Sequence, residues 1–307
     1  MAAPTRAARH MFWGGEYERQ GPRNERLFGG ERRGSDFPLI RALLPALLLA
    51  SIPIRGLAEA PYITDDTGTQ GRGNWQLELI GEYIHNNRTA TVEGVPVDQD
   101  RRVATVGPVF TYGVAENIDV AVGVAHVHDR ISENGVLVQD VEGTTDSTVE
   151  VKWRFYERNG LSFAIKPGLL LPTGDESKGL GTGKLSWGVN GILTYEIGPW
   201  TWLANLAYTE AHFKRVQDVQ TNHQHLWRLS GGLGYRLHDK LKLAAEAGVR
   251  TNPAKDDPFL PGNNGHFAML GLIYSPTDSI DIAVGFRKNI NNGEADRAFP
   301  FGLTFRW

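Results

Sequence analysis

The stretch that decides the fold is Ser147-Thr148-Val149-Glu150-Val151-Lys152-Trp153-Arg154-Phe155-Tyr156. Every second residue from Ser147 to Phe155 is small or apolar, and the residues between them include Glu150, Lys152 and Arg154. A separation this complete has a period of two, which is the period of a β-strand. A charge facing lipid at the bilayer midplane costs about 2–4 kcal/mol, so three outward charges would cost about 6–12 kcal/mol, comparable with the stability of a whole domain. We therefore predict a membrane strand whose charged face points inward.

The same alternation recurs along the chain and predicts twelve strands. They cover residues 74–84, 101–112, 118–128, 145–156, 161–171, 183–196, 200–209, 225–237, 241–250, 266–274, 280–287 and 298–307. Ten residues of a strand tilted by about 45° climb roughly 23 Å, which is close to the height of the apolar band of a membrane barrel. The strand length therefore suits a bilayer.

The connections between these strands alternate strictly between short and long. Short turns are predicted at 113–117, 157–160, 197–199, 238–240 and 275–279, and long loops at 85–100, 129–144, 172–182, 210–224, 251–265 and 288–295. Outer-membrane barrels have short periplasmic turns, longer extracellular loops and an even number of strands. The sequence thus predicts an all-β protein, a transmembrane antiparallel β-barrel of about 12 strands with both termini periplasmic, in the outer membrane of a Gram-negative bacterium.

The residues before the barrel indicate export. An apolar stretch of about a dozen residues at 42–54 follows Arg41 and ends near small residues, which predicts a secretory signal peptide at 38–60, cleaved after Ala58 or Ala60. Residues 1–37 are rich in Arg and Gly without periodicity, and we interpret them as a disordered extension or a mis-assigned start. Residues 61–73 would then form a periplasmic segment at the entrance of the barrel, which spans 74–307.

The composition of the chain and the residues at the strand ends indicate which partner molecules to expect. The 32 basic and 35 acidic residues nearly balance, which argues against a nucleic-acid partner, and no pattern predicts a cofactor or a metal site. Aromatic residues cluster at strand ends, as in the belts at the two faces of a membrane, so outer-membrane lipids are expected partners. The last strand ends on Phe305 and Trp307, which is similar to the signal read by the barrel assembly machinery. The alternative is a soluble β-sandwich or lipocalin-like barrel with its apolar face inside.

Three stretches carry a family resemblance. The segment Pro61-Tyr62-Ile63-Thr64-Asp65-Asp66-Thr67-Gly68-Thr69-Gln70-Gly71-Arg72-Gly73-Asn74-Trp75-Gln76-Leu77-Glu78 resembles the start of the mature chain in the outer-membrane transporter family named for the meta-pathway of phenol degradation. Leu171-Pro172-Thr173-Gly174-Asp175 and Tyr274-Ser275-Pro276-Thr277-Asp278 support it. The resemblance implies a porin-like channel or transporter for passive passage of small solutes, aromatic compounds among them. It brings no binding residues with it.

The polar strand faces supply the candidate site. If they line the lumen, the candidate residues for contact with a solute are Glu78, Glu82, Asp119, Glu150, Lys152, Arg154, Lys166, Lys184, Arg228, Lys242, Glu246 and Arg250. These charges either pair into a network that plugs the barrel or border an open, weakly selective pore. A slight excess of basic groups along these faces would favour anionic solutes such as aromatic carboxylates.

Two smaller features leave alternatives open. Asp65 and Asp66 precede the first strand and either bind a cation or hydrogen-bond turn backbone and fix the amino-terminal segment at the barrel entrance. An outer-membrane lipase would need a Ser and a His on the lipid-facing wall, and folding of the 129–144 loop predicts His126 opposite Ser147. We expect a channel and no enzyme, with a lipase-like enzyme or a non-conducting structural or adhesive barrel as the alternatives.

Overall fold

The computed structural model describes residues 60–293 and 295–307. The predicted extension 1–37 lies outside these residues, as does the predicted signal peptide 38–60 apart from Ala60. Within the described ranges, no helix combines the length and the apolar character needed to cross a membrane.

Strands make up most of the described chain. They are β1 (Trp75–Val92), β2 (Val95–Ala115), β3 (Ile118–Gly123), β4 (His126–Glu133), β5 (Val136–Thr144), β6 (Ser147–Arg158), β7 (Leu161–Leu171), β8 (Ser186–Ile197), β9 (Trp200–Glu210), β10 (His225–His238), β11 (Leu241–Thr251), β12 (Asn264–Thr277), β13 (Ile280–Asn289) and β14 (Arg297–Arg306). A short helix, α1 (Val216–Thr221), lies between β9 and β10.

The strands form one antiparallel sheet that closes on itself. Strand β1 pairs with β2 on one edge and with β14 on the other, so no edge is left open at the seam. Strands β3 and β4 lie end to end along β2, and β5 and β6 lie end to end beside them, so each pair occupies one position in the wall. The barrel therefore has twelve strand positions, which confirms the predicted number. Closure satisfies every backbone group that an open edge would expose to hydrocarbon.

Both ends of the barrel wall lie at one rim. The backbones of Trp75 and Trp307 exchange hydrogen bonds of 2.8 and 3.1 Å. The tight turns between β2 and β3, and between β6 and β7, lie at this same rim. We call it the short-turn end and the opposite rim the long-loop end.

Two of the predicted long loops, 85–100 and 129–144, are wrong. The chain there continues as the paired strands β1–β2 and β4–β5, which reach two-residue turns at Glu93-Gly94 and Asn134-Gly135. All four turn residues have φ between 49° and 83°, as required at both positions of the tight turn that suits twisted hairpins. Apolar–polar alternation fades in these arms because they extend past the apolar band, so a rule based on alternation ended the strands too early.

Other strand boundaries in the structure also differ from the predicted ones. The predicted strand 118–128 crosses a break between β3 and β4 at 124–125, and the predicted strand 145–156 includes two residues, 145–146, that lie in the break before β6. The predicted strand 183–196 starts only at Ser186, so Lys184 precedes β8.

The outer wall of the barrel is apolar. In β6 the side chain of Glu150 is 2% exposed, whereas Trp153 and Phe155 on the opposite face are 48% and 53% exposed. The same arrangement holds in β12, where Leu270 is 70% exposed and Met269 is 2% exposed. A soluble sandwich or lipocalin-like barrel would have the reverse orientation, so that alternative is excluded. The charged faces point inward, as predicted.

Aromatic side chains mark both rims. At the short-turn end, the rings of Trp75 and Tyr112 are 4.5 Å apart and those of Trp200 and Tyr235 are 4.4 Å apart. At the long-loop end, the ring of Tyr208 lies 5.6 Å from that of Trp187 and 4.6 Å from that of Trp227. Such rings place an apolar body and a polar tip at the boundary between lipid and water.

Candidate functional site

A segment from the amino-terminal side fills the middle of the barrel. Tyr62, Ile63, Thr64 and Asp65 are each less than a tenth exposed, and the Tyr62 hydroxyl donates a 3.0 Å hydrogen bond to the carbonyl of Leu233 on β10. The sequence predicted residues 61–73 as a segment at the barrel entrance, and the structure places their first part between the barrel walls. We call residues 60–73 the plug segment.

Glu246 on β11 anchors the plug segment. Its carboxylate accepts hydrogen bonds from the backbone N–H of Ile63 (3.0 and 3.1 Å), the backbone N–H of Thr64 (2.6 Å) and the Thr64 hydroxyl (2.5 Å). The Thr64 hydroxyl also lies 2.7 Å from the hydroxyl oxygen of Ser230 on β10. Hydrogen bonds to an ionised group are stronger than neutral ones, so Glu246 fixes the depth of this part of the chain.

Asp65 forms a second anchor, of opposite sign. Its carboxylate lies 2.9 Å from the Lys152 ammonium and also contacts the Lys166 ammonium, which is 3.6 Å from Glu150. The backbone of Asp65 exchanges two 2.8 Å hydrogen bonds with the side-chain amide of Asn205. Removal of one partner from a buried ion pair costs about 3–5 kcal/mol. Asp65 is therefore a charged link between the plug segment and the wall that is costly to break.

Below these anchors the segment follows the wall to the short-turn end. The backbone N–H of Gln70 donates to the Asp119 carboxylate at 3.0 and 3.1 Å, and Asp66 accepts a 2.6 Å hydrogen bond from the N–H of Gly68 within its own turn. A cavity of about 320 Å³ remains here, lined in part by Glu78, Asp119 and Lys152. Asp66 thus shapes the local turn, whereas Asp65 reaches across the lumen.

A larger cavity lies on the other side of the plug segment, toward the long-loop end. Its empty volume is about 680 Å³, and apolar and polar side chains share its wall; we call it the vestibule. Arg101 pairs with Asp129 at 2.8 Å, and Arg287 pairs with Glu82 at 2.6 Å. Phe267, fully buried, has the guanidinium carbons of Arg250 and Arg287 5.9 and 5.8 Å from its ring centroid. The vestibule is lined by Ile84, Asn86, Arg101, Val103, Arg250, Thr251, Asn252, Pro253, Leu260, Gly265, Arg287, Gly293, Ala295 and Ala298.

One long loop folds into the barrel above the vestibule wall. Asp146, at the break between β5 and β6, accepts hydrogen bonds from the N–H of Gly174 (2.9 Å) and from the N–H and hydroxyl of Thr182 (2.7 and 2.8 Å). Leu180 of the same loop is 1% exposed and packs against the inward side chains of β1, β2 and β4. Asp146 therefore holds this loop over the lumen.

The structure places the predicted lumen residues as follows. Less than a tenth of each residue is exposed in the inward-facing group Glu78, Glu82, Asp119, Glu150, Lys166, Arg228 and Glu246. Lys152, Arg154, Lys242 and Arg250 are partly exposed and share the inward faces of their strands. Lys184 is exposed in the loop before β8 and does not line the barrel.

Several uncharged residues that build the site were not predicted. Asn205 and Ser230 lie on the inward faces of β9 and β10, where the period-two rule would have found them, but only charged side chains were selected. The sequence pattern does not predict the contacts of Phe267 or the hydrogen bond between Thr64 and Glu246, because both depend on the path of the chain through the lumen.

The pairing that a lipase would need is not formed. The imidazole of His126 lies 3.0 Å from the Glu142 carboxylate, and the Ser147 hydroxyl lies 2.9 Å from that of Thr173. The register of β4 and β5 sets Thr144 opposite His126, so the predicted His126–Ser147 pair is wrong. In the part of the chain that the structure describes, no three acidic or His side chains are grouped to hold a metal ion.

The closed barrel, its apolar outer wall and its charged lumen define a transmembrane β-barrel of the outer-membrane type. The family described as MetA-pathway of phenol degradation matches residues 127–307, and the chain belongs to that family. No curated protein matches the sequence.

Solved structures of similar fold are outer-membrane proteins. The structure of an outer membrane channel from Pseudomonas putida F1 superposes with a TM-score of 0.57 at 11% identity, over 79% of this chain and 98% of that one. The NanC porin (TM-score 0.46, 10% identity, 75% of this chain and 98% of that one) and the KdgM porin (TM-score 0.45, 7% identity, 75% and 98%) superpose less well. At 11% identity, the likeness to the channel from Pseudomonas putida F1 shows the barrel fold alone.

Proposed function

We propose that the chain is a channel for passive passage of small solutes across the outer membrane and that the plug segment closes it. The observation that carries this proposal is the pair of cavities, one on each side of the segment, within a lumen lined by charged side chains. Hydrogen bonds and ion pairs, which water can replace when the segment moves, hold residues 63–65 in place. Ala60 and Tyr62 of the same segment pack in an apolar cluster with wall residues of β9, β11, β12 and β13, so opening also exposes this apolar contact.

The proposal also includes the orientation of the barrel in the membrane, its partners and its solutes. In this proposal the short-turn end faces the periplasm, as in other outer-membrane barrels, and outer-membrane lipids surround the apolar wall. Strand β14, which ends at Arg306 next to Trp307, is the element that the barrel assembly machinery would read. The family description concerns phenol degradation, which favours aromatic compounds as the solutes.

We assign no catalytic step to this chain. The His126 imidazole and the Ser147 hydroxyl each have another partner, and neither contacts the other. A Ser147→Ala variant should therefore match the unmodified protein in any esterase assay, and a loss of hydrolysis in that variant would contradict this assignment.

A reversible cross-link tests the channel. The chain contains no Cys, and the hydroxyl oxygens of Thr64 and Ser230 are 2.7 Å apart, so the double variant Thr64→Cys/Ser230→Cys should form a disulfide that fixes the plug segment to β10. We expect oxidation to reduce the ion current of this variant in planar bilayers and a reductant to restore it. The single variant Ser230→Cys, treated identically, should not respond.

Three results separate the alternatives. If the ion current of the double variant is the same before and after oxidation, ions do not pass the plug segment. No current above that of the empty bilayer, in any variant and either redox state, would favour a non-conducting structural or adhesive barrel. Uptake of labelled phenol or benzoate by cells with and without the gene tests the aromatic cargo.

A further inference from the structure

Arg228 on β10 is a buried cation with unused donors. The residue is 5% exposed, and within the described residues its Nε and Nη2 atoms have no hydrogen-bond partner. A buried charged donor without an acceptor is costly, and most such groups are paired. The guanidinium of Arg228 is therefore prepared for an acceptor that the chain itself does not supply.

The two unused atoms define the shape of that acceptor. Nε–H and Nη2–H leave the same edge of the guanidinium in parallel and match the two oxygens of one carboxylate. Arg101 uses the same two atoms in this barrel: its Nε and Nη2 donate to the two carboxylate oxygens of Asp129 at 3.0 and 2.8 Å. Arg228 presents the same edge without an Asp or Glu opposite it.

The acidic groups around Arg228 are committed elsewhere. Glu246 accepts hydrogen bonds from the plug segment, Asp65 contacts Lys152 and Lys166, and Glu150 lies 3.6 Å from Lys166. These contacts keep the acids in place for the plug segment. They leave the Arg228 edge for an anion from outside.

Arg228 is beside a residue of the vestibule wall and two residues from a contact with the plug segment, although it is not itself one of the residues that line the vestibule. Arg250, which lines the vestibule, is directly opposite Arg228 in the β10–β11 register. Ser230, two residues or about 7 Å further toward the short-turn end, contacts Thr64 of the plug segment. A solute bound against Arg250 in the vestibule would therefore lie next to Arg228 and on the long-loop side of the Ser230–Thr64 contact.

The vestibule adds an apolar surface to this charge. Ile84, Val103 and Leu260 contribute to its wall beside Arg250 and Arg287. A ligand with a flat apolar body and a single carboxylate satisfies both parts of this wall. Inorganic anions would use only the charge, and neutral aromatic compounds only the apolar part.

We propose that the Arg228 guanidinium edge binds the carboxylate of a small aromatic acid at the inner end of the vestibule. This inference deepens the proposed function, because it names the solute class that the same lumen selects. It requires access through the vestibule but not passage past the plug segment.

Calorimetric titration of the purified full-length protein in detergent tests the site. The probes are sodium benzoate, benzamide, which replaces the carboxylate by a neutral amide, and acetate, which lacks the ring. We expect saturable binding of benzoate with one site per chain and at least about tenfold weaker binding of benzamide and of acetate, since each loses one of the two contacts.

Variants assign the binding to one residue. Arg228→Gln should weaken benzoate binding about tenfold or more, and Arg228→Lys, which keeps the charge but loses the paired donors, should fall between. Arg236→Gln makes the same replacement at an exposed arginine of the same strand, at its short-turn end, and is the matched control, with benzoate affinity unchanged. Each variant is checked for folding on a detergent gel, where an unheated folded barrel should migrate faster than the same sample after heating.

The proposal is overturned if benzoate does not bind the unmodified protein, if benzamide binds as well as benzoate, or if folded Arg228→Gln and Arg236→Gln bind benzoate equally. Equal binding of acetate and benzoate would overturn the aromatic assignment. Bilayer current is measured separately: benzoate binding without current would remove the proposed channel and leave this site, and current without benzoate binding would do the reverse.

Discussion

Neutralising Asp65 should release the plug segment. Asp65→Asn keeps the size of the side chain but leaves the ammonium groups of Lys152 and Lys166 beside a neutral amide, with only 13% and 2% of those side chains exposed. Loss of one partner from a buried ion pair costs about 3–5 kcal/mol. Lys152 retains some exposure and Lys166 keeps Glu150 at 3.6 Å, so we expect a value near 3 kcal/mol.

This loss of about 3 kcal/mol from the closed state determines how often the plug segment is open. The plug segment leaves its anchors when it opens, so the cost applies to the closed state, and about 3 kcal/mol increases the open population roughly 100-fold. The readout is a single cysteine at Ser230, which is 3% exposed and covered by Thr64 when the segment is closed. The rate at which a small thiol reagent modifies this cysteine should rise about 100-fold in the Asp65→Asn background.

Asp66→Asn is the matched control. Its carboxylate is one-third exposed, lies 3.9 Å from Lys152 and otherwise caps its own turn at Gly68, so the modification rate should change less than about threefold. Equal rates in the Asp65→Asn and Asp66→Asn backgrounds, in folded protein, would refute the view that Asp65 holds the segment closed.

Three further changes test other parts of the structure. Gly113→Ala should loosen the base of the plug segment at a cost of about 1–3 kcal/mol, because a Cβ there would lie 1.8 Å from the carbonyl oxygen of Gly71; cysteine modification at Ser230 should accelerate. Asp146→Asn removes the charge that accepts three hydrogen bonds from the inward loop, so proteolysis within 174–182 should become faster by about tenfold. Leu270→Arg on the outer wall should destabilise the barrel in lipid vesicles by about 2–4 kcal/mol in a urea titration, since this side chain is 70% exposed to the bilayer.

Each change has a control of similar chemistry. Gly191→Ala, whose Cβ would have its nearest neighbour at 3.7 Å, should leave the modification rate unchanged. Glu157→Gln replaces an exposed carboxylate at the short-turn end and should not alter cleavage of the inward loop. Val136→Arg, at the tip of the β4–β5 hairpin, should not destabilise the barrel, and a loss equal to that of Leu270→Arg would contradict the placement of the apolar band.

The period-two pattern recovered most of the wall. Its success at Glu150, Trp153 and Phe155 has a local cause, because successive side chains of any strand point to opposite faces whatever lies beyond it. The same rule stopped short in the β1–β2 and β4–β5 arms, where the buried face mixes polar residues such as Gln99 and Asp129 with apolar ones such as Ile131, so the sequence no longer alternates. It placed Lys184 in a strand because residues 183–185 continue the alternation although the chain there is still a loop.

The arrangement of charges in the lumen could not be predicted from the alternation of side chains alone. The sequence offered two outcomes for the inward charges, a paired network or an open pore, and could not choose between them, because Asp65 is 87 residues from Lys152 and 181 from Glu246. Only closure of the sheet brings these residues to the same depth.

The sequence by itself determined the number of strand positions in the wall and the face that the membrane strands turn to lipid. Both follow from alternation along a single segment and from the cost of placing a charge in hydrocarbon. The tertiary structure alone decided that the plug segment runs through the barrel, that Asp65 meets Lys152 and Lys166 there, and that Arg228 keeps two donors without a partner. Those contacts join distant parts of the chain across a closed wall, and no local pattern records which side chains will face one another inside it.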